Sequence, residues 1–570
     1  MGGVEVIAGL AEEYWNLVLD RSPLAATFYG DHRADDALDD LSASAEDAYV
    51  ARLVDLRART EAAGLNVELP MSAAVTRAML LAEVDKALTL HPFRLAELAC
   101  DQMQGPHADL LMVWPQLSYG EPGQAQAALD RLGQVPRFLE QAVERFREGL
   151  ARRRSPAAIV VRRSLSQLEG YLAGPLDSDP FLQCRLPAEG TPGWLGEHVW
   201  REEAMPVLAE RVRPAFLRYR DVLREEILPR ARSDEQPGMC WTDGGADAYD
   251  AMVLAHTSLV LDPREVHERG RREITEVLAP QFAELGERVL GSSDLAVVFD
   301  RLRNDPELRH RDADEIVRAT EAVVARAAGS LTGWFGRTPQ APCVVAPVPD
   351  FLAADAPPAY YFPPAPDGSR PGTYFTNTFD ATSRPRFELE SVAFHEAIPG
   401  HHLQLALANE MTDLPEFQKH VGATAYVEGW GLYAERLADE MGLYSDDLQR
   451  LGMLSADAWR AGRLVVDTGL HALGWSRQRA IDYLTENTPV PVDTIAVEVD
   501  RYIAWPGQAL AYKVGQHEIL RLRERAREHL SRTTGGFDIA AFHDVVLGFG
   551  AVTLPVLEEL VGDWAGWSVR

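Results

Sequence analysis

Three histidines fall within eight residues, His395, His401 and His402, and the first is followed directly by Glu396. They sit in FELESVAFHEAIPGHHLQLALANE (387–410), an otherwise apolar helical stretch. A zinc hydrolase needs neutral imidazoles to hold the ion, an open coordination position and a nearby carboxylate to take a proton from water. The common solution is H-E-x-x-H on one helix, with the two histidines one turn apart. Here the second histidine is displaced by Pro399 and Gly400.

That displacement constrains the fold. On an unbroken helix His395 and His401 would stand about 120° apart around the axis and ~9 Å apart along it, too far to share an ion. His395 and His402 would share a face but lie ~10 Å apart. Proline removes an amide donor and glycine tolerates unusual dihedrals, so the pair predicts a local bulge that absorbs two residues. The bulge returns His401 to the place of the second motif histidine, with His402 as the alternative.

A third ligand is expected from ATAYVEGWGLYAERLADE (423–440), which places Glu428 and Glu435 on one helix face. Glu428 is the candidate ligand, and Gly429 and Gly431 beside it permit close helix approach. Glu435 is the candidate acceptor behind a ligand histidine, with a surface ion pair as its other reading.

Most of the remaining sequence reads as amphipathic helix. In 45–64, Tyr49, Leu53 and Leu56 recur at three- and four-residue spacing. Similar patterns fill 122–152, 199–230, 264–290, 313–330, 401–411, 424–441, 455–475 and 508–530. The fold class expected is mostly α, with a small β-sheet next to the metal helix. CVVAPV (343–348) and GTYFTNTF (372–379) read as strands in a region rich in proline, glycine and aromatics. That region is either a substrate-binding edge or a hairpin covering the core. The polar break at 233–238 suggests an N-terminal helical lobe over 1–235 and a C-terminal lobe carrying the site over 236–570.

Composition narrows the function. A net charge of −30 argues against a nucleic-acid partner. Four scattered cysteines, Cys100, Cys184, Cys240 and Cys343, form no C-x-x-C pair and predict neither a zinc ribbon nor a disulfide framework. The opening MGGVEVIAGLAEEYW has no basic n-region followed by a long apolar run, and no stretch is apolar enough to span a bilayer. The expectation is a cytoplasmic protein with no membrane partner; oligomeric state is not legible.

HEAIPGHHLQ (395–404) and YVEGWGLYAE (426–435) together resemble the signature of a widespread bacterial family catalogued as a domain of unknown function. Its members are similar to gluzincin zinc metallopeptidases, relatives of thimet oligopeptidase, angiotensin-converting enzyme and the thermostable carboxypeptidases. HERGRREI (267–274), DGSRPGTYFTNT (367–378), RLVVDTGLHALGW (463–475) and RYIAWPGQALAYKVG (501–515) also look like its blocks. The resemblance implies a two-lobed helical body with a deep central channel. It implies His395, His401 and Glu428 as Zn2+ ligands and Glu396 as general base.

Supporting residues are read from the blocks around the motif. Tyr502 and Tyr512 are the candidate oxyanion donors, with Gln508 and Arg501 close by; Tyr512, in the helix opened by Pro506 and Gly507, is preferred, with a core tyrosine as its other reading, and His471 is a second donor. Arg463, Asp467 and His471 are i,i+4 neighbours that either orient substrate together or form a structural ion pair with an incidental histidine. Arg370, Tyr374, Asn377 and Gln508 complete the expected substrate-binding set, with Arg370 gripping a carboxylate. The leading function is hydrolysis of short peptides. The competing readings are a zinc amide hydrolase for a modified metabolite and a non-catalytic binding protein with a vestigial site.

Overall fold

The computed structural model describes residues 3–64, 69–349, 353, 356–365, 370–420, 422–533 and 535–567. The chain forms two compact units that interleave in sequence. The first comprises Met1–Glu68, Glu83–Tyr249 and Leu470–Gln478; the second comprises Leu69–Ala82, Asp250–Gly469 and Arg479–Arg570. The polar segment 233–238 therefore lies inside the first unit, and the chain does not change units there.

The first unit is helical. The stripe read at 45–64 becomes the helix Ala43–Ala62, started by Ser42, whose hydroxyl accepts the Ala45 N–H at 3.3 Å, and it buries Leu53 and Leu56. Its aromatic core joins Trp114 to Phe181 edge-on at 5.0 Å, and the Trp114 indole donates to the Phe181 carbonyl at 2.9 Å. The fully buried Arg131 donates to the Pro23 and Ala34 carbonyls and to the Thr27 hydroxyl, so its charge is spread over several acceptors.

The second unit carries the histidine segment. Its relevant elements are α1 (Ala313–Ala328), β1 (Cys343–Pro347), β2 (Ala359–Phe362), β3 (Gly372–Thr376), α2 (Leu389–Glu396), α3 (His401–Asn409), α4 (Thr424–Glu440), α5 (Asp447–His471, of which Leu470 and His471 count to the first unit), α6 (Val492–Ala504) and α7 (Ala511–Thr533). The sheet order is β1-β3-β2, with β1 parallel and β2 antiparallel to β3. Both expected strands form, one and three residues shorter than expected, and β2 is an addition that the sequence pattern had not marked. The first three residues of the DGSRPGTYFTNT run lie outside the described residues.

Register assigns the sheet's two faces. Tyr361 pairs with Tyr374 and so shares its face, while Tyr360 pairs with Phe375 and stacks on it at 5.0 Å. Helices α4 and α7 pack backbone to backbone: a Cβ on Gly429 would come within 2.5 Å of the Gly515 backbone. All four cysteines are free. Among the described residues no helix is long and apolar enough to cross a membrane.

Candidate metal centre

Helix α2 ends at Glu396, where Ala397 leaves helical dihedrals at φ −103°, ψ −102°. Gly400, at φ −81°, ψ −126°, starts α3, and the intervening Ile398–Pro399 peptide is cis. The His402 N–H donates to the Ala397 carbonyl at 3.0 Å, so the chain folds back onto the end of α2. Only glycine permits this at 400, because a Cβ there would lie 1.9 Å from the His395 carbonyl oxygen. The expected bulge is thus a helix break, held by Trp430 of α4, whose indole N–H donates to the carbonyls of Pro399 and Gly400 at 3.0 and 3.3 Å.

The break turns His401 toward His395. Their rings are 4.8 Å apart and nearly perpendicular. Glu428 Oε2 lies 3.6 Å from His395 Nε2 and 3.7 Å from His401 Nε2, and the three donor atoms all fall within 4.8 Å of one another. Donors held at ~2.0–2.1 Å in a tetrahedron around zinc would be separated by about 3.4 Å, so the cluster is close to that spacing. Room for the His395 ring comes from Gly431, where a Cβ would stand 2.6 Å from the ring.

Glu435, one face down α4 from Glu428, fixes the tautomer of His395. Its Oε1 accepts from His395 Nδ1 at 2.8 Å, and its Oε2 accepts from the Ser391 hydroxyl at 2.6 Å. A carboxylate can only accept, so Nδ1 carries the hydrogen and Nε2 turns toward Glu428 and His401. Burial depresses the His395 pKa, but Glu428 and Glu435 more than reverse this and push it up to about 9. Burial acts upward on Glu428, and the two imidazoles hold its carboxyl well below the usual range. Two carboxylates converging on one imidazole make a field that favours positive charge at Nε2, and a divalent cation answers it as a proton does. The residues present therefore fit a metal ion.

His402 points elsewhere. Its Nδ1 meets the Tyr361 hydroxyl at 2.8 Å, and burial pushes its pKa down to about 4. Of the two histidines left open by the sequence, the fold brings His401 into the cluster.

The other expected site residues divide. Glu396 is half-buried, and its charge, after burial, is the next cause that raises the pKa of the Tyr374 hydroxyl. Tyr512 is half-buried in the first turn of α7; burial and the Glu428 charge raise its pKa, while Arg463, Arg501 and Arg460 act against them. Arg463 donates from Nε to the Tyr502 hydroxyl at 2.8 Å and from Nη2 to Glu498 at 3.1 Å. Arg370 is exposed on the sheet, 5.6 Å over the Phe362 ring.

Three residues expected to bind substrate or transfer protons are engaged by the protein itself. The Asn377 side-chain amide donates to the carbonyls of Ala353 and Ala356 at 2.7 and 3.0 Å, and its oxygen accepts from the Phe379 N–H. Gln508 accepts from Arg501 Nη1 at 2.8 Å and is buried. His471 belongs to the first unit, fully buried, with Nδ1 accepting from the Met239 N–H at 3.2 Å and its ring stacked on Tyr249. Of the expected Arg463, Asp467 and His471 set, Asp467 accepts the Gly507 N–H at 3.1 and 3.2 Å. Trp430 and Glu498 were not marked by the sequence; only the flanking glycines hinted at close packing around Trp430.

Fold and site together define a mostly helical protein with a two-histidine, one-carboxylate cluster that could hold a metal ion. The chain belongs to the bacterial family of proteins of unknown function DUF885, whose family model matches residues 23–561. A solved structure from Colwellia psychrerythraea, described as a "putative lipoprotein", is similar at 26% identity and a TM-score of 0.90, covering 99% of this chain and 100% of that one. A second, from Shewanella oneidensis and described as a "putative lipoprotein of unknown function", shares the fold at 16% identity and a TM-score of 0.77, covering 97% and 99% of the two chains. Among the curated proteins no match was found.

Proposed function

We propose that this protein is a zinc-dependent hydrolase that cleaves amide bonds in short peptides. One observation carries the reading: His395, His401 and Glu428 offer three donor atoms within 4.8 Å of one another, with Glu435 braced behind His395. Two imidazoles and one carboxylate suit zinc among the common divalent ions. The similarity to gluzincin metallopeptidases that the motif suggests, with a two-lobed body whose channel admits peptides and excludes folded proteins, belongs to the same proposal.

When bound, the ion supplies Lewis acidity toward water and toward a substrate carbonyl. The chain's own groups do the rest. Glu396 adjoins His395 in sequence, accepts the proton of the attacking water and returns it to the leaving amine. Tyr374 remains neutral, since burial and the Glu396 charge both oppose its ionisation. Tyr512, within the field of Glu428, donates to the carbonyl oxygen as negative charge develops there. The Colwellia relative's description as a "putative lipoprotein" favours an extracytoplasmic, membrane-associated setting and gives no support to the cytoplasmic one expected from the sequence.

The test is elemental analysis of the purified protein followed by cleavage of a peptide library read by mass spectrometry. The expected result is about one zinc per chain and cleavage that disappears in Glu396→Gln while its metal stays. A zinc-loaded protein that leaves every peptide and small amide intact overturns the reading.

A further inference from the structure

We infer that Arg463 and Asp467, one turn apart on α5, are positioning residues that hold Tyr512 in its working place. The inference rests on the proposed hydrolase only for the role of Tyr512; the clamp itself is geometric.

Arg463 is nearly inaccessible, and its guanidinium carbon lies 4.7 Å from the ring centroid of Trp459, 4.5 Å from that of Tyr512 and 5.6 Å from that of Tyr502. Two of its three nitrogens are tied down, Nε by the Tyr502 hydroxyl and Nη2 by Glu498. The tie is itself braced: the Tyr502 hydroxyl also accepts from the Trp459 indole at 3.0 Å and donates to Glu498 at 2.9 Å. The third nitrogen, Nη1, has no hydrogen-bond partner among the described residues. A buried cationic donor without an oxygen partner is costly, and an aromatic face is what remains to receive it. Of the three rings around the guanidinium, that of Tyr512 is the nearest, at 4.5 Å.

Asp467 secures the start of the same helix. Both of its oxygens accept the Gly507 N–H, at 3.1 and 3.2 Å, and Gly507 takes the left-handed φ of +82° that turns the chain into α7. Arg501 holds the next residue through Gln508. Residues 507, 508 and 512 are thus each fastened from α5 or α6, which fixes both the origin of α7 and the tilt of the Tyr512 ring. A phenol that donates to a developing oxyanion needs that fixity, since the donor counts only where the charge appears.

The experiment uses the full-length, zinc-loaded chain. Tyr512→Phe lowers kcat by about 10²-fold, as loss of one oxyanion donor does elsewhere. Arg463→Gln lowers kcat by at least about 10-fold with KM within about twofold, Arg463→Lys recovers part of the loss, and Arg463→Gln combined with Tyr512→Phe is no slower than Tyr512→Phe alone. A second readout needs no turnover: 3-fluorotyrosine placed at 512 gives a 19F resonance displaced from that of free 3-fluorotyrosine. That resonance moves toward the free value in Arg463→Gln and in Asp467→Asn, at unchanged zinc content. Losses that add in the double variant, or a 19F resonance indifferent to Arg463, overturn the clamp. A wild type that binds zinc and cleaves nothing sinks the hydrolase instead, and the 19F comparison then decides the clamp alone.

Discussion

His395 donates through Nδ1 to Glu435 at 2.8 Å, with both side chains buried. The pair orients the imidazole before any ion arrives, and the Glu435 carboxylate makes Nε2 a stronger donor. Glu435→Ala is expected to weaken zinc binding by about 10- to 100-fold. Titration against a competing chelator measures it; an unchanged affinity would reduce Glu435 to a packing element.

Single-residue replacements separate the ligands from their neighbour. His395→Ala, His401→Ala and Glu428→Ala each lose the metal, whereas His402→Ala keeps it, because His402 is bonded to Tyr361 and lies outside the cluster. Zinc content of the folded variants reads this directly. Loss of metal in His402→Ala with retention in His401→Ala would reverse the assignment.

Gly431 is a structural condition of the site. In Gly431→Ala the added methyl meets the His395 ring, so His395 or α4 must move. The expected cost is about 1–3 kcal/mol in unfolding free energy together with weakened zinc binding. Urea denaturation and chelator competition measure the two, and a variant that matches the wild type in both would show that the ring has room to spare.

Two buried histidines remote from the ligands contribute to the loss of stability in acid. Burial pushes His107 down to about 4 and His543 down to about 3. His543 meets the Tyr433 hydroxyl at Nε2 and the Trp334 carbonyl at Nδ1, each at 2.7–2.8 Å, and burial outweighs the upward pull of the Trp334 bond. Both pKa values are depressed on folding, so the unfolded chain binds more protons below its histidine pKa of about 6.5. Stability from this source is present above pH ~6.5 and is lost as pH falls toward 4 and then 3. Each group adds a slope of up to ~1.4 kcal/mol per pH unit. Urea denaturation between pH 7 and 5 should show the decline, with a shallower slope in His543→Gln; identical slopes would remove His543 from the account.

The helices were legible because their signal is local. Leu53 and Leu56, or Glu428 and Glu435, share a face by the helix repeat alone, and the backbone bonds that make the repeat reach only four residues. Thr373 to Thr376 announced β3 in the same way, but β2 is four residues long and its aromatic pattern gains meaning only when Tyr361 finds Tyr374 across the sheet. Local pattern also marked Asn377, Gln508 and His471, but the partners they meet, Ala353, Arg501 and Met239, come only from the tertiary structure.

The sequence by itself determined that His395 and Glu396 stand beside a helix break, since Pro399 and Gly400 cannot continue α2, and that Glu428 and Glu435 face one way. Which histidine joins His395 was decided by the tertiary structure alone. Trp430 gathers the carbonyls of the break, Tyr361 draws His402 aside, and Gly431 opens space for the His395 ring. The dihedrals of a break are set by what packs against it, and those groups lie about 30 to 40 residues away along the chain, beyond the reach of any local periodicity.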